Sequence, residues 1–149
     1  MAEIVAGSHK LNKKLMALMA QVEPSQRQVA LMQGGFVIEA YAKDNVRSQH
    51  LIDTGNLRAS ITTEPDGDEA VTVGPRNVVY AAIHEFGGTI TAKNAPYLRF
   101  KTADGAWHSV KSVTIPARPY MRPALDEHKK TVNAAVAATL LRFIQQAAK

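Results

Sequence analysis

Two short groups of residues in this sequence have the types and spacing that catalysis needs. The first is Asp53-Thr54-Gly55, which follows the apolar pair Leu51-Ile52 and matches the triplet of retroviral-type aspartic proteases. In such a homodimer, two carboxylates from paired triplets share one proton. Against a protease, Asn56 follows the triplet and both flanks of the chain show helical patterns. A turn capped by Asp53 or Thr54 is therefore favoured, and the aspartic-protease-like homodimer is kept as an alternative.

The second group is His84-Glu85, which lies in a stretch of helical spacing that ends at Gly87-Gly88. A helical zinc motif needs its second histidine where the chain has Gly88. Because no nucleophile or oxyanion device accompanies the pair, His84 is interpreted as a structural histidine. The chain has no cysteine, which excludes disulfides, thiolate metal sites and cysteine nucleophiles. The sequence therefore predicts no catalytic residue, no metal and no cofactor.

Positive charge is concentrated in one stretch of the chain. The formal net charge is +5, and the segment from Ile90 to Arg118 holds five basic residues against Asp104 alone. Four of them fall in or beside a predicted hairpin: Lys93, Arg99, Lys101 and Lys111. Such a surface is either an ordinary solvated face or one that meets DNA phosphates or an acidic partner. A basic nucleic-acid-binding protein is thus a further alternative.

A β-prone region stops, and a helix begins, between Ile115 and Leu125. Pro116 and Pro119 lack the N–H that a β-ladder needs, so the strand must end there. Proline is tolerated in the first turn of a helix, so Pro123 indicates a helix that starts between positions 119 and 123. The rigid corner holds three residues of types that are favoured at interfaces. These predicted subunit or partner contacts are Arg118, Tyr120 and Arg122.

The elements that position these groups follow from the apolar periodicity. Helical spacing predicts helices within residues 8–46 and a long helix over 119–147, and Gly34-Gly35 indicates either a bend or a close approach. Alternation at period two predicts a sheet over 57–115, whose first strand starts at Leu57. Within this sheet region, a short helix is expected over 79–86 and a hairpin over 89–112.

Together these patterns predict one domain, residues 1–149, of the α+β class. Its N-terminal helices and long C-terminal helix pack on a small, mostly antiparallel sheet with a protruding β-hairpin. Lysines interrupt the N-terminal pattern at Lys10, Lys13 and Lys14, so neither a signal peptide nor a membrane span is expected.

Three of these stretches, taken in order, resemble the tail-component, or neck, family of tailed bacteriophages. They run from Asp53 to Ile61, from Tyr80 to Gly88 and from Ile115 to Leu125. The resemblance covers roughly residues 30–135, and it depends on the order and spacing of the three motifs together. The region from Ala92 to Trp107 is less similar to the family.

The resemblance implies a non-enzymatic structural protein of virion morphogenesis, acting in the neck or in tail completion. It implies a homo-oligomeric ring at the head–tail junction, through which DNA passes. The expected partners are further copies of the chain, other neck, connector or tail proteins, and DNA in the axial channel, bound without sequence preference. The protein is expected to assemble in the bacterial host cytoplasm and to reside in the virion, with no membrane partner.

Overall fold

The computed structural model describes residues 22–51, 54–67, 69–102 and 104–147. The helices in these residues are α1 (Pro24–Ser48), α2 (Asn56–Ser60), α3 (Ala81–Phe86), α4 (Met121–Asp126) and α5 (Lys129–Ala147). The strands are β1 (Ile61–Pro65), β2 (Val71–Pro75), β3 (Gly88–Thr91), β4 (Leu98–Lys101), β5 (Trp107–Val110) and β6 (Ser112–Ile115). The α+β class predicted from the sequence is confirmed. Residues 8–21 of the predicted first helix lie outside the described residues.

The long helix α1 packs along α5 on one side and on the β1–β2 pair on the other. Gly34 and Gly35, both buried, make this double contact possible at mid-helix. A Cβ at Gly34 would lie 2.7 Å from Cγ2 of Val136 in α5, and a Cβ at Gly35 would collide with Thr63 in β1. The helix continues through both glycines, so the close approach is the correct alternative of the two.

The predicted strand from Leu57 is wrong in its first four residues, which belong to α2. Gly55 has φ of 81°, a left-handed conformation from which the chain enters the helix. Leu57 and Ile61 are four residues apart, a spacing that fits one helical turn as well as it fits alternation. Both are almost fully buried, at 2% and 0% exposure. The sequence pattern alone is therefore ambiguous here.

The main core lies between α1, α2, β1, α3 and α4. Its buried members come from all five elements or from the residues beside them: Ala42, Val46, Leu57, Ile61, Ala81, Tyr120 and Ala124. A second, smaller core joins α1 to α5 through Ala30 and Leu140, with Val22 at its edge. Burial of apolar surface in these two clusters fixes the body of the protein.

Within the described residues, the predicted small sheet over 57–115 is three separate antiparallel pairs, β1–β2, β3–β6 and β4–β5. In the first pair, Ile61 lies opposite Pro75, and α1 covers one face. The other two pairs follow one another along a single hairpin, residues 88–115, which we name the arm. The ladder therefore reaches past the predicted 89–112, since Gly88 pairs with Ile115. No residue in the four strands of the arm is buried.

The predicted C-terminal helix over 119–147 is also different, because it is broken at Glu127 and His128 into α4 and α5. The His128 ring stacks on Tyr41 of α1, with ring centroids 3.4 Å apart. The break lets α4 pack at the proline corner while α5 turns to run along α1. The predicted helix over 79–86 likewise begins later, at Ala81, and leaves Val79 in an exposed turn.

Candidate contact surface

The proline corner is held by one carboxylate from a different element. Glu85, near the end of α3, accepts three hydrogen bonds from backbone N–H groups at the start of α4. Its Oε2 accepts from Tyr120 at 2.7 Å and Met121 at 2.9 Å, and its Oε1 accepts from Arg122 at 3.0 Å. The first N–H groups of a helix have no partner within that helix, so Glu85 acts as a cap across 35 residues of sequence.

The carbonyl groups of the corner are also bound. The Asn45 side chain donates from Nδ2 to the Tyr120 carbonyl at 3.0 Å, and Gln49 donates from Nε2 to the Pro119 carbonyl at 2.8 Å. The N–H of Arg118 donates to the His84 carbonyl at 2.7 Å. The corner is thus fixed by α1 from one side and by α3 from the other.

Tyr120, a predicted contact residue, lies inside the protomer. Its side chain is only 1% exposed, and its hydroxyl donates to the Ala81 carbonyl at 3.3 Å. Burial, with a smaller contribution from the negative charge of Glu85, raises the pKa of Tyr120 to about 12. In this conformation Tyr120 offers nothing to a second subunit. It packs beneath the corner inside the protomer, whereas the sequence analysis expected it to contact a subunit or partner.

Arg118 and Arg122, in contrast, are both exposed. Arg118 lines a cavity of about 510 Å³ together with His50, Tyr80 and His84. Arg122 lies at the edge of a larger and mostly apolar depression, which we name the groove. The two arginines therefore remain available for contacts, on either side of a rigid segment.

The groove lies between β2, α3 and α4 and has a volume of about 870 Å³. Buried or half-buried residues line its floor, among them Val73, Ala81 and Met121. Its edge carries large apolar side chains that the protomer leaves in contact with solvent. They are Val79 at 99% exposure, Phe86 at 68% and Leu125 at 43%. Contiguous exposed apolar side chains of this kind mark sites of interaction.

The arm carries the second predicted group, and the structure places it away from the corner. Residues opposite one another in an antiparallel pair project to the same face. One face of the β4–β5 pair therefore presents Arg99, Lys101 and Trp107. The Arg99 guanidinium lies over the Trp107 ring, 4.9 Å from its centroid. Lys111 lies at the bend between β5 and β6, and Lys93 lies in the loop before β4, both exposed.

Sequence reasoning missed Glu85 as the residue that organises the corner, and it missed the groove. A signal for Glu85 was present, since it stands four residues after Ala81 on the buried side of a short helix. An acidic side chain at such a position needs donors. The donors come from the far end of the hairpin, so no local pattern could name them. The exposure of Val79 and Phe86 depends equally on where the chain turns.

Thr54, Gly55 and His84, which belong to the two groups considered for chemistry, line the same cavity as Arg118. Asp53 lies outside the described residues, while Thr54 and Gly55 form the turn into α2, where the Asn56 N–H donates to the Thr54 hydroxyl at 3.4 Å. Within residues 22–51, 54–67, 69–102 and 104–147, no group of three or more acidic or histidine side chains is placed to hold a metal ion. None of the helices in these ranges is long and apolar enough to cross a membrane.

Comparison with known proteins decides the family. The phage virion morphogenesis family matches this chain over residues 12–144, which include every element described above except the last three residues of α5. The chain belongs to this family. Membership confirms the resemblance seen in the three sequence motifs, and it makes the protein a structural component of bacteriophage virion morphogenesis, of the tail-component class. Families of this class are generally non-enzymatic.

A curated relative is the Mu-like prophage FluMu G protein 2 of Haemophilus influenzae. It is 44% identical to this chain over 71 residues, which are 48% of this chain and 38% of that protein. The match thus spans well under half the length of the relative. No solved structure matches the chain.

Proposed function

We propose that this chain is a neck or tail-completion component that forms a closed ring at the head–tail junction, and that DNA passes through the ring. Family membership supports a role in the virion and in the tail. The finer placement is carried by one observation, the exposed basic face of the arm. A hairpin that projects from the body with Arg99, Lys101 and Trp107 on one face suits a phosphate backbone, because cations neutralise phosphates whatever the base sequence.

The protein acts by assembly and not by catalysis in this proposal. The corner is a rigid platform on which Arg118 and Arg122 are presented to a neighbouring subunit or to an adjoining ring. Arginine is enriched at interfaces because its planar guanidinium forms several hydrogen bonds at once. A ring also suits a protein with two unlike exposed surfaces, since a contact between unlike surfaces closes or else grows into filaments.

The test of the DNA-facing arm is a triple substitution of Arg99, Lys101 and Lys111 to Gln in the phage or prophage genome. We expect folding to be unchanged and the yield of infectious, DNA-retaining particles to fall at least tenfold. The matched control changes three exposed basic residues of the body to Gln, namely Arg47, Arg58 and Lys130. A normal yield from the arm variant would show that its charge is an ordinary solvated surface.

The ring and its location are tested on purified particles. Native mass spectrometry of isolated neck and tail assemblies should show several copies of the chain per assembly, and labelled antibodies should bind at the junction of head and tail. A single copy per particle would contradict the ring.

The protease alternative predicts that Asp53→Asn abolishes the function of the protein. A dyad that shares a proton cannot work without its carboxylates. In the assembly proposal, this variant forms particles at the normal yield.

A further inference from the structure

We propose that the cavity of about 510 Å³ that Arg118 lines binds a carboxylate group of a partner protein. We name it the basic cavity. It lies between the end of α1, the turn into α2, the helix α3 and the first residues of the corner. This inference deepens the proposed function, because it names the chemistry of the partner that Arg118 meets.

The basic cavity forms where the three motif stretches of the sequence meet. The first stretch contributes Asn56, the second contributes Tyr80 and His84, and the third contributes Arg118. His50, which follows α1, completes this part of the lining. Each of these side chains can donate a hydrogen bond. Contacts between residues that are distant in sequence therefore gather donors in one recess.

The donors around the basic cavity are left unpaired by the part of the protomer that the structure describes. Among the described residues, the side chains of His50, Tyr80, His84 and Arg118 form no hydrogen bond and no ion pair. The described lining also holds no aspartate or glutamate. Glu85 is next to His84 in the chain, but its carboxylate is occupied by the corner. A guanidinium and two imidazoles without an acidic partner favour an anion as the ligand.

His50 occupies a backbone position where glycine is the usual residue. It follows α1 with φ of 56°. Its N–H donates to the Arg47 carbonyl at 3.1 Å and the Leu51 N–H donates to the Val46 carbonyl at 3.0 Å, which is the pattern of a Schellman cap. A histidine in this left-handed conformation is less favourable than a glycine. The imidazole that it brings to the basic cavity gives a reason for a histidine here.

The lining of the basic cavity suits a carboxylate on an apolar stem. Leu51 and Leu57 contribute apolar surface, and the rings of Tyr80 and His84 meet edge to face with centroids 5.7 Å apart. These groups can pack on the methylene groups of an acidic side chain, while the planar guanidinium of Arg118 matches a carboxylate with two parallel N–H bonds. The phosphates of a duplex stand on an exposed backbone with a sugar on either side. A recess therefore suits them less than the open face of the arm does.

The experiment measures binding to the full chain, labelled with ¹⁵N, by NMR at constant ionic strength. N-acetylglutamate α-amide is the probe for a side-chain carboxylate, N-acetylalanine is the probe for a chain-terminal carboxylate, and inorganic phosphate is the third probe. We expect saturable shifts of the amide signals of Asn56, His84 and Arg118 with the carboxylates, and the tighter of the two identifies the source. Shifts that do not saturate, or phosphate binding tighter than both carboxylates, would overturn the inference.

Two variants remove donors and one is the matched control. Arg118→Gln should weaken carboxylate binding by about tenfold or more, because it removes charge-assisted hydrogen bonds and keeps the backbone N–H. Arg122→Gln changes an exposed arginine that does not line the basic cavity, so it should keep the wild-type affinity. His50→Gly should weaken binding while its urea midpoint stays the same or rises, because glycine suits the left-handed position. Wild-type affinity in Arg118→Gln or in His50→Gly would contradict the proposal.

Asp53, which precedes Thr54 in the sequence, lies outside the described residues. Asp53→Asn should bind the probes with wild-type affinity. A gain of about tenfold would show that the chain's own carboxylate fills the basic cavity, and the inference would then be wrong. The ring is tested separately, on particles. Carboxylate binding by a chain that forms no multimer in particles refutes the ring alone, and a multimer whose chain binds no carboxylate refutes the basic cavity alone.

Discussion

At the scale of single residues, Glu85 matters more to this protein than its exposed charges. A carboxylate that accepts three backbone N–H groups replaces the water those groups would bind in the unfolded chain. It also joins the two ends of the arm, because α3 precedes the arm and α4 follows it. The exposed ion pairs of the body, such as Lys129 with Asp126 at 2.8 Å, contribute little by comparison.

Removal of the Glu85 carboxylate should destabilise the protein strongly. Glu85→Ala leaves three donors without their acceptor, and we expect a loss of about 3–5 kcal/mol in the free energy of unfolding. Glu85→Gln keeps one acceptor oxygen but turns an NH₂ group toward donors, so a loss of about 1–3 kcal/mol is expected. Urea denaturation followed by circular dichroism measures both. Glu127→Gln, an exposed carboxylate nearby, is the control and should change stability by less than about 0.5 kcal/mol.

Tyr120 should make stability depend on pH in the alkaline range. Its folded-state pKa of about 12 exceeds its ordinary value of about 10, so the folded state holds the proton more tightly than the unfolded chain does. The resulting stabilisation is complete below pH 10 and is lost as the pH rises toward 12. Tyr120→Phe lacks this ionisation.

The measurement compares the two proteins by denaturant titration at several pH values from 8 to 12. The difference in unfolding free energy between wild type and Tyr120→Phe should shrink by about 1–2 kcal/mol from pH 9 to pH 12. All other ionisable groups are the same in both proteins, so their contributions cancel in the difference. A constant difference across this range would show that the Tyr120 hydroxyl is not protected from ionisation.

At the scale of elements, the two glycines of α1 determine how closely the layers approach. Glycine normally weakens a helix by about 1 kcal/mol relative to alanine, so its presence here must be offset by packing. The offset is visible in the side chains of Val136 and Thr63, which occupy the space that a Cβ would need. The loss of helix propensity at the two glycines is thus offset by close packing of α1 on α5 and on β1.

Gly34→Ala should therefore destabilise the protein despite its gain in helix propensity. Overpacking against Cγ2 of Val136 is expected to cost about 1–3 kcal/mol. Val136→Ala removes that methyl group, so the double variant should recover part of the loss and show a coupling of at least about 0.5 kcal/mol. Thermal and urea denaturation of the four proteins in this cycle give the coupling. Additive losses would mean that the two positions do not touch.

Most elements were predictable from the sequence, and their exceptions have a common cause. The helical periodicity of α1 and α5 and the alternation that predicts a hairpin over 89–112 are local signals, and the structure agrees with each. The start at Leu57 and the break at Glu127 depend on contacts with α1 and the corner that are distant in sequence. The same holds for the site: Arg118 and Arg122, which the sequence predicts as contact residues, are exposed, whereas the burial of Tyr120 and the role of Glu85 follow only from tertiary packing.

At the scale of the whole molecule, a packed body and an exposed arm have different tasks. In the part of the chain that the structure describes, the body has two apolar cores, which supply the folding stability. The arm buries none of its strand residues and supplies reach and charge. A protein with this division should bind polyanions through the arm even when the body is unchanged.

Duplex DNA binding by the assembled protein should fall steeply with salt. Each phosphate contact contributes about −0.9 to the slope of log K against log salt concentration. The change of Arg99, Lys101 and Lys111 to Gln should reduce the magnitude of this slope by about 2–3, as measured by fluorescence anisotropy with duplexes of two unrelated sequences. The body control, in which Arg47, Arg58 and Lys130 become Gln, should keep the wild-type slope. Equal slopes for all three proteins would remove the arm from the DNA-binding surface.

The bonds at the base of the arm have one more consequence. Glu85, His84 and the corner hold α3 and α4 together whether or not anything lies between Gly88 and Ile115, and these two residues already face each other across the ladder. The arm can therefore be replaced by a segment of different length or sequence without a change in the body. Its length and sequence are free to follow the diameter of a particular tail or the surface of a particular neighbour, while the body stays the same. We expect phages that share this body to differ most in what they have placed between those two residues.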